Sequence, residues 1–81
     1  MPSSIFTQRH QELIGFIAST RKAADITQVE LAERLGKPQS FVSKVERGER
    51  RLDVIEFCQL AQALGRSPAG LLQEFIDLKC R

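Results

Sequence analysis

The sequence predicts an all-α fold, a compact bundle of five helices that forms a single domain over residues 1–81. Apolar residues recur at three- and four-residue spacing in five stretches, and no stretch alternates apolar and polar residues as a strand does. Residues that begin and end helices stand at the borders of these stretches. The chain is 81 residues long, 42% hydrophobic and 27% charged, which suits one small domain with a core.

Helix 1 is predicted from about Thr7 to Ala24. Its apolar residues, on or near one face, are Phe6, Leu13, Ile14, Ile17 and Ala18. Asp25 follows at a place where a helix end often needs a left-handed residue, and aspartate tolerates that conformation better than most residues. We therefore expect the chain to leave helix 1 at Asp25.

Helix 2 is predicted to open at Thr27 and to end at Gly36. Thr27 and Glu30 form a T-x-x-E pair, in which each side chain accepts a hydrogen bond from the other residue's backbone amide. Its apolar face consists of Leu31, Ala32 and Leu35. This face predicts packing against a neighbouring helix.

Helix 3 is predicted from Gln39 to Arg47, with Pro38 in its first turn, where no amide donor is needed, and Gly48 after its end. Its apolar positions are Phe41, Val42 and Val45. The other side carries Gln39, Ser40, Ser43, Lys44 and Arg47. Serine is a poorer helix former than the residues of an ordinary solvent-facing helix, so this polar face indicates a function other than contact with water.

Helix 4 is predicted to begin with a second capping pair, Asp53 and Glu56, and to stop at Gly65. Its apolar residues are Val54, Phe57, Leu60, Ala61 and Leu64. Ser67 and Pro68 form an N-cap followed by proline at the first helical position, which predicts helix 5 over about residues 68–79.

The link between helices 2 and 3 consists of Gly36 and Lys37, and at most also of Pro38. So short a link forces a tight corner, at which Gly36 tolerates positive φ. Ala32 is small enough for the two backbones to approach each other. Together with the shared apolar faces, these positions predict a helix-turn-helix over about residues 27–47.

The segment TQVELAERLGKPQSFVSKVERGERRLDVIEFCQLAQALG resembles the DNA-binding domains of the phage repressor, Cro and XRE group of transcriptional regulators. The resemblance covers about residues 21–75, and its specific motifs are LAERLG, QSFVSKVERGER and LAQALG. It implies a lambda-repressor-like domain with helix 3 in the DNA major groove. In two departures, Asp25 stands where many members have glycine, and Pro38 where many have a hydroxyl residue that caps helix 3.

The resemblance implies roles for individual residues. Those that read or flank bases are Gln39, Ser40, Ser43 and Lys44. Those that contact phosphate are Gln28, Arg47, Arg50 and Arg51. Arg21 and Glu46 form a structural ion pair. The chemistry fits, because glutamine can pair with adenine, lysine with guanine, and guanidinium with phosphate oxygens. For the polar and basic surface residues, simple solvation is the alternative.

The positive charge of the chain is concentrated around helix 3. Residues 34–51 carry six basic and two acidic side chains, whereas the whole chain has a net charge of only +2. Such a concentration is typical of a surface that binds a polyanion, and it adds Lys37 to the candidate phosphate contacts. A solvated charged loop is the alternative.

Other classes of function are not expected. The longest apolar run, Leu13 to Ala18, is shorter than the roughly 20 residues of a membrane span, and the N-terminus does not have the pattern of a signal peptide, so we expect a cytoplasmic protein. His10 has no second ligand at metal-binding spacing. No phosphate loop or catalytic triad occurs, so we expect neither an enzyme nor a cofactor. We expect Cys58 to be a core residue and Cys80 to have no specific function.

Helix 5 has a wide apolar surface, which one neighbouring helix cannot cover completely. The residues predicted for a dimer interface are Leu71, Leu72, Phe75 and Leu78. The alternative is that helix 5 only completes the monomer core.

The sequence thus predicts a sequence-specific regulator that binds double-stranded DNA. In its simplest form it is a repressor that binds a palindromic operator as a homodimer. An antitoxin or a restriction-modification controller would use the same surface, and an adaptor would act through the C-terminal helix. A protein partner, a toxin or a polymerase, is left open.

Overall fold

The computed structural model describes residues 7–79, and the predictions for Phe6 and Cys80 lie outside these residues. Five helices follow one another: α1 (Gln8–Ala23), α2 (Gln28–Leu35), α3 (Gln39–Glu46), α4 (Val54–Ala63) and α5 (Pro68–Lys79). Within residues 7–79 there is no strand. The predicted all-α, five-helix fold is confirmed.

The helices begin where the sequence places their caps. In α2, the Thr27 hydroxyl accepts from the Glu30 amide at 3.1 Å, and the Glu30 carboxylate accepts from the Thr27 amide at 2.8 Å. In α4, Asp53 and Glu56 form the same reciprocal pair at 2.7 and 3.0 Å. Both predicted capping boxes are therefore present.

The end of α1 has the predicted left-handed residue. Asp25 has a φ of 64° and is the only non-glycine residue with positive φ in the described part of the chain. The Ile26 amide donates back to the Arg21 carbonyl at 3.2 Å, which closes the last turn. This turn directs the chain from α1 towards the first capping box.

The corner between α2 and α3 is as short as predicted. Gly36 caps α2 with a φ of 67°, and the Lys37 amide donates to the Ala32 carbonyl at 3.0 Å. Pro38 differs from the prediction, because it is the N-cap of α3 with extended backbone (ψ 155°) and not part of its first turn. Proline has no hydroxyl, so α3 starts without a side-chain cap.

The core lies where the first four helices meet, and α5 extends it. Its largest fully buried side chains are Ile17, Leu31, Val42, Val45, Leu60 and Leu71. Leu35, Phe41 and Cys58 are half-buried, so Cys58 is less enclosed than predicted; its thiol is free. The core fixes α3 by one face and leaves its other face to solvent.

Candidate nucleic-acid interface

The outer face of α3 is a continuous polar surface. Gln39, Ser40 and Lys44 are exposed and Ser43 is half-buried, so the four residues predicted to read bases lie together. On the opposite face, Val42 and Val45 are at most 1% exposed. Packing therefore holds α3 in one orientation while its polar side chains project outward.

A buried ion pair supports α3 from behind. Arg21 Nε lies 2.6 Å from Glu46 Oε2, and Arg21 Nη2 lies 3.0 Å from Oε1. Arg21 also donates from Nη1 to the Ile26 carbonyl at 2.7 Å. The two side chains are only 9% and 7% exposed, so each charge has the partner that burial requires. The pairing implied by the sequence resemblance is present, and it joins the end of α1 to the end of α3.

Gln28 connects this ion pair to the polar face of α3. Its Nε2 donates to Glu46 Oε1 at 2.9 Å, and its Oε1 accepts from Gln39 Nε2 at 3.5 Å. Gln39 is therefore oriented by a chain of contacts that begins in the core. The Gln28 backbone amide stands at the first position of α2, where an amide has no acceptor within its own helix.

Arg47 lies at the end of α3 beside the polar face. Its guanidinium donates to both carboxylate oxygens of Glu49, at 2.9 and 3.2 Å, and to the Ser43 hydroxyl at 3.2 Å. The hydrogen bond from Arg47 lowers the pKa of the Glu49 carboxyl, and the positive charges of Arg47 and Lys44 lower it further. Glu49 is therefore in contact with a candidate phosphate ligand.

Arg50 occupies a different environment. It donates to both carboxylate oxygens of Glu56, at 2.9 and 2.7 Å, and to the Arg51 carbonyl at 2.7 Å. Its guanidinium carbon lies 4.7 Å from the centre of the Phe41 ring, and Lys37 Nζ lies 5.3 Å from the same centre. These contacts give Arg50 a structural function that links α3 to α4, and they position Lys37 at the corner.

Glu56 is the acceptor that sequence reasoning missed. It belongs to the α4 capping box and also binds Arg50, and the Arg50 hydrogen bonds are the main reason why its pKa falls to about 2. The capping spacing identified one of these two roles. The other depends on a contact six residues away across a turn, for which helical spacing gives no signal.

Arg51, the last of the predicted phosphate ligands, is exposed. Its charge acts on His10 of α1, which is 7% exposed. Burial lowers the pKa of His10, and the positive charge of Arg51 lowers it further. A hydrogen bond with the backbone of Gly48, which acts on the pKa in the opposite direction, joins the start of α1 to the segment that follows α3.

Comparison with known proteins identifies the class to which this surface belongs. The family model HTH_3, helix-turn-helix, matches residues 17–71. The chain belongs to the XRE helix-turn-helix family. The resemblance to the phage repressor, Cro and XRE group is thereby confirmed, and the chain is a DNA-binding transcriptional regulator.

Similar helix-turn-helix proteins cover most of the chain. The chain is 40% identical over 63 residues to an uncharacterized HTH-type transcriptional regulator, y4dJ, of Sinorhizobium fredii. The matched segment covers 76% of this chain and 82% of that protein. An XRE-family like protein from Pseudomonas syringae pv. tomato is 51% identical, with a TM-score of 0.81, covering 88% of this chain and 87% of that one. The restriction-modification controller C.AhdI of Aeromonas hydrophila is 31% identical, with a TM-score of 0.67, covering 80% and 99%.

The predicted dimer surface of this helix-turn-helix domain needs a correction. Leu71 is fully buried and Phe75 is 7% exposed, with the Phe75 ring 5.6 Å from that of Phe16 on α1. Both residues belong to the core of the protomer, and Phe75 faces α1. Leu72 and Leu78 are 43% and 67% exposed, and they remain candidates for contact with a partner.

An apolar groove adjoins the exposed side of α5. It has a volume of about 180 Å³ and is lined by Leu13, Leu52, Asp53, Val54, Phe57 and Leu72. Val54 is 75% exposed and Ile76, one turn beyond Leu72, is 39% exposed. The predicted interface did not include Val54 or Ile76. A single helical pattern does not show which apolar residues of a helix stay uncovered by its neighbours.

Two further findings concern residues 7–79 of this helix-turn-helix protein. Over this range, no three His, Cys, Asp or Glu side chains are close enough together to hold a metal ion. Nor does this part of the chain contain a helix long and apolar enough to span a membrane.

Proposed function

We propose that this protein is a sequence-specific regulator that binds a palindromic DNA operator as a homodimer, and that in its simplest form it represses transcription. The observation that carries the proposal is the outer face of α3, where Gln39, Ser40, Ser43 and Lys44 form one polar surface on a firmly packed helix. An α-helix fits the major groove of B-DNA, where each base pair presents a distinct pattern of donors and acceptors.

In this proposal, side chains of α3 read the bases directly. Gln39 can pair with adenine and Lys44 with guanine, while Ser40 and Ser43 contact base edges or phosphates at short range. The contacts from Gln28 to Glu46 and Gln39 favour one orientation of Gln39 before DNA arrives. Pre-organisation of this kind reduces the entropy lost on binding.

Phosphate contacts in this proposal come from residues around the polar face. The Gln28 amide at the start of α2, Lys37 at the corner, and Arg47 and Arg51 after α3 are the candidates. Arg50 stays a predicted phosphate ligand, and its contacts with Phe41 and Glu56 leave its charge near the same surface. The protein acts by binding alone, in the cytoplasm, with neither catalysis nor a cofactor.

The homodimer in this proposal forms through the exposed side of α5. Leu72, Ile76 and Leu78 are apolar and exposed, and Val54 on α4 extends the surface. One helix-turn-helix reads only a few base pairs, and two protomers related by a two-fold axis read two half-sites about one helical turn apart.

Selection of bound duplexes from a random-sequence library tests the proposed function. We expect a palindromic consensus with half-site centres about ten base pairs apart. Recovery of duplexes without a common sequence would contradict sequence-specific binding. A single, non-palindromic site bound by one protomer would contradict the homodimer but leave base reading intact.

Control of a restriction-modification operon is a second candidate, because C.AhdI shares 31% identity over 99% of its length. In that case the selected consensus would lie upstream of adjoining endonuclease and methyltransferase genes. A consensus found only at unrelated promoters would contradict this specific role while leaving the DNA-binding function unchanged.

A further inference from the structure

The contact between Arg47 and Glu49 differs from the other ion pairs around α3. Both side chains are exposed, at 55% and 51%, whereas Arg21 and Glu46 are 9% and 7% exposed. The Glu56 carboxylate that holds Arg50 is also shielded, at 17% exposure. Exposed pairs are weak because water screens them. Of these three pairs, the one between Arg47 and Glu49 is therefore the easiest to separate.

Glu49 occupies the hydrogen-bonding side of Arg47 that a phosphate would need. Arg47 Nε and Nη2 each donate to one oxygen of the same carboxylate, which is the bidentate geometry that guanidinium also uses with phosphate. The third contact of Arg47 is to Ser43, on the polar face of α3. The guanidinium therefore already lies beside the proposed base-reading surface, with an internal anion bound to it.

We infer that Glu49 is a positioning residue that sets the affinity for DNA by occupying Arg47. In the free protein its carboxylate stands in for a backbone phosphate, and DNA must displace it before Arg47 can bind the duplex. This inference rests on the proposed function, because Glu49 would regulate the binding of DNA to the same surface. Its consequence is that the contact between Arg47 and a phosphate adds less to affinity than it would without Glu49, because the ion pair has to be broken first.

The inference differs from a general effect of negative charge because it acts through one partner. Removing the Glu49 charge should strengthen DNA binding only while Arg47 is present. A general charge effect would instead strengthen binding by the same factor whether residue 47 is arginine or a neutral residue. Combining substitutions at the two positions separates these cases.

The experiment compares the wild type, Glu49→Gln, Arg47→Gln and the double variant. Binding to a labelled random-sequence duplex is followed by fluorescence anisotropy between about 50 and 200 mM salt. Glu33→Gln is the matched control, because Glu33 is also an exposed acidic residue but lies on α2. Circular dichroism checks that each variant is folded.

We expect Glu49→Gln to tighten binding by about two- to five-fold per protomer, the factor that corresponds to an exposed ion pair. The slope of log affinity against log salt should become steeper by about 0.9, because the positive charge of Arg47 is then no longer neutralised by a carboxylate in the free protein. In the Arg47→Gln background, Glu49→Gln should change affinity by no more than Glu33→Gln does in the wild type.

Equal tightening by Glu49→Gln in both backgrounds would overturn the inference, and so would unchanged affinity and slope in the Arg47 protein. Both results leave the proposed function intact, because the wild type still binds the duplex. Failure of the folded wild type to bind any duplex at about 50 mM salt would overturn the proposed function itself, and the inference with it.

Discussion

Asp25 carries a conformational cost that a single substitution can remove. Its φ of 64° is in the left-handed region, where a Cβ atom is unfavourable and glycine is not. The left-handed conformation costs about 1–2 kcal/mol, and the larger entropy that glycine loses on folding offsets about 0.5–1 kcal/mol of it. We therefore predict that Asp25→Gly raises the free energy of unfolding by about 0.5–1 kcal/mol, as measured by urea denaturation. Gly65, with a φ of 76°, gives the reverse control, since Gly65→Asp should destabilise the protein. A loss of stability in Asp25→Gly would show that the carboxylate contributes more than its conformation costs.

The polar residues of α3 should separate affinity from specificity. Gln39→Ala and Lys44→Ala are each expected to cost about 1–3 kcal/mol on the selected operator and little on random duplex, because only base contacts are lost. Arg51→Ala, which removes a predicted phosphate contact, should weaken both complexes alike. The measurement is the ratio of the two dissociation constants. Equal losses on both duplexes for Gln39→Ala and Lys44→Ala would contradict their assignment to base reading.

His10 should make stability depend on pH. It is the single histidine of the chain, and burial holds its pKa below the ordinary value of about 6.5. As the pH falls below 6.5, the unfolded chain binds a proton before the folded one does, so the free energy of unfolding decreases. We expect a lower melting temperature at pH 5.5 than at pH 7. In His10→Gln this difference should shrink, and an unchanged difference would assign the pH dependence to other groups.

At the scale of elements, the junction between α3 and α4 depends on Glu56. Glu56 and Glu30 each complete a capping box, but only Glu56 also holds an arginine. We predict that Glu56→Gln lowers the melting temperature by a few degrees at pH 7 and that Glu30→Gln lowers it less. Glutamine can still accept the capping hydrogen bond in both variants, so the comparison isolates the loss of the Arg50 pair. Equal shifts of the melting temperature in the two variants would contradict the structural role of Arg50.

The pKa of Glu56 also sets a pH range for this contribution. It falls to about 2 in the folded protein, against roughly 4.3 for an unperturbed glutamate. The stabilisation is therefore fully present above about pH 4.5 and is lost as the pH falls towards 2. Thermal unfolding over this range should show a shallower acid dependence in Glu56→Gln than in the wild type, and an unchanged profile would contradict the assignment.

Local sequence patterns were sufficient to predict elements, because caps and helical periods involve residues three or four positions apart. The two capping boxes and the left-handed Asp25 follow from such spacing. Contacts between distant elements were accessible only in part. The pair of Arg21 and Glu46 came from a family resemblance, whereas Glu56 as the partner of Arg50 depends on how the turn after α3 folds back, which no local pattern encodes.

At the scale of the whole molecule, the sequence predicted only that α5 has a wide apolar side. The helical spacing of its apolar residues showed which of them share a side, but the position of α1 decides that Phe75 is covered and Leu72 is not. Burial by a neighbouring helix is a tertiary property, so the division between core and candidate interface required the structure. The candidate dimer surface accordingly moves towards Leu72, Ile76 and Val54.

Substitutions on this surface test the homodimer. We predict that Leu72→Glu converts the protein from a dimer-sized to a monomer-sized species in sedimentation velocity, without loss of helical content. Val29→Glu is the matched control, because Val29 is similarly exposed, at 47% against 43% for Leu72, but lies on α2. Phe75→Glu should instead unfold the protein, because it buries a charge. A monomer-sized wild type would contradict the proposed dimer.

The contacts behind α3 also limit how this protein can be redesigned. Gln39 is oriented by Gln28, which is held by Glu46 and through it by Arg21; Gln28 and Arg21 lie outside α3. Transplanting the four outward residues of α3 onto another scaffold would therefore transfer the base-reading side chains without the contacts that orient them. Engineering a new target sequence in this chain should vary Ser40, Ser43 and Lys44 first and treat Gln28 and Gln39 as one unit.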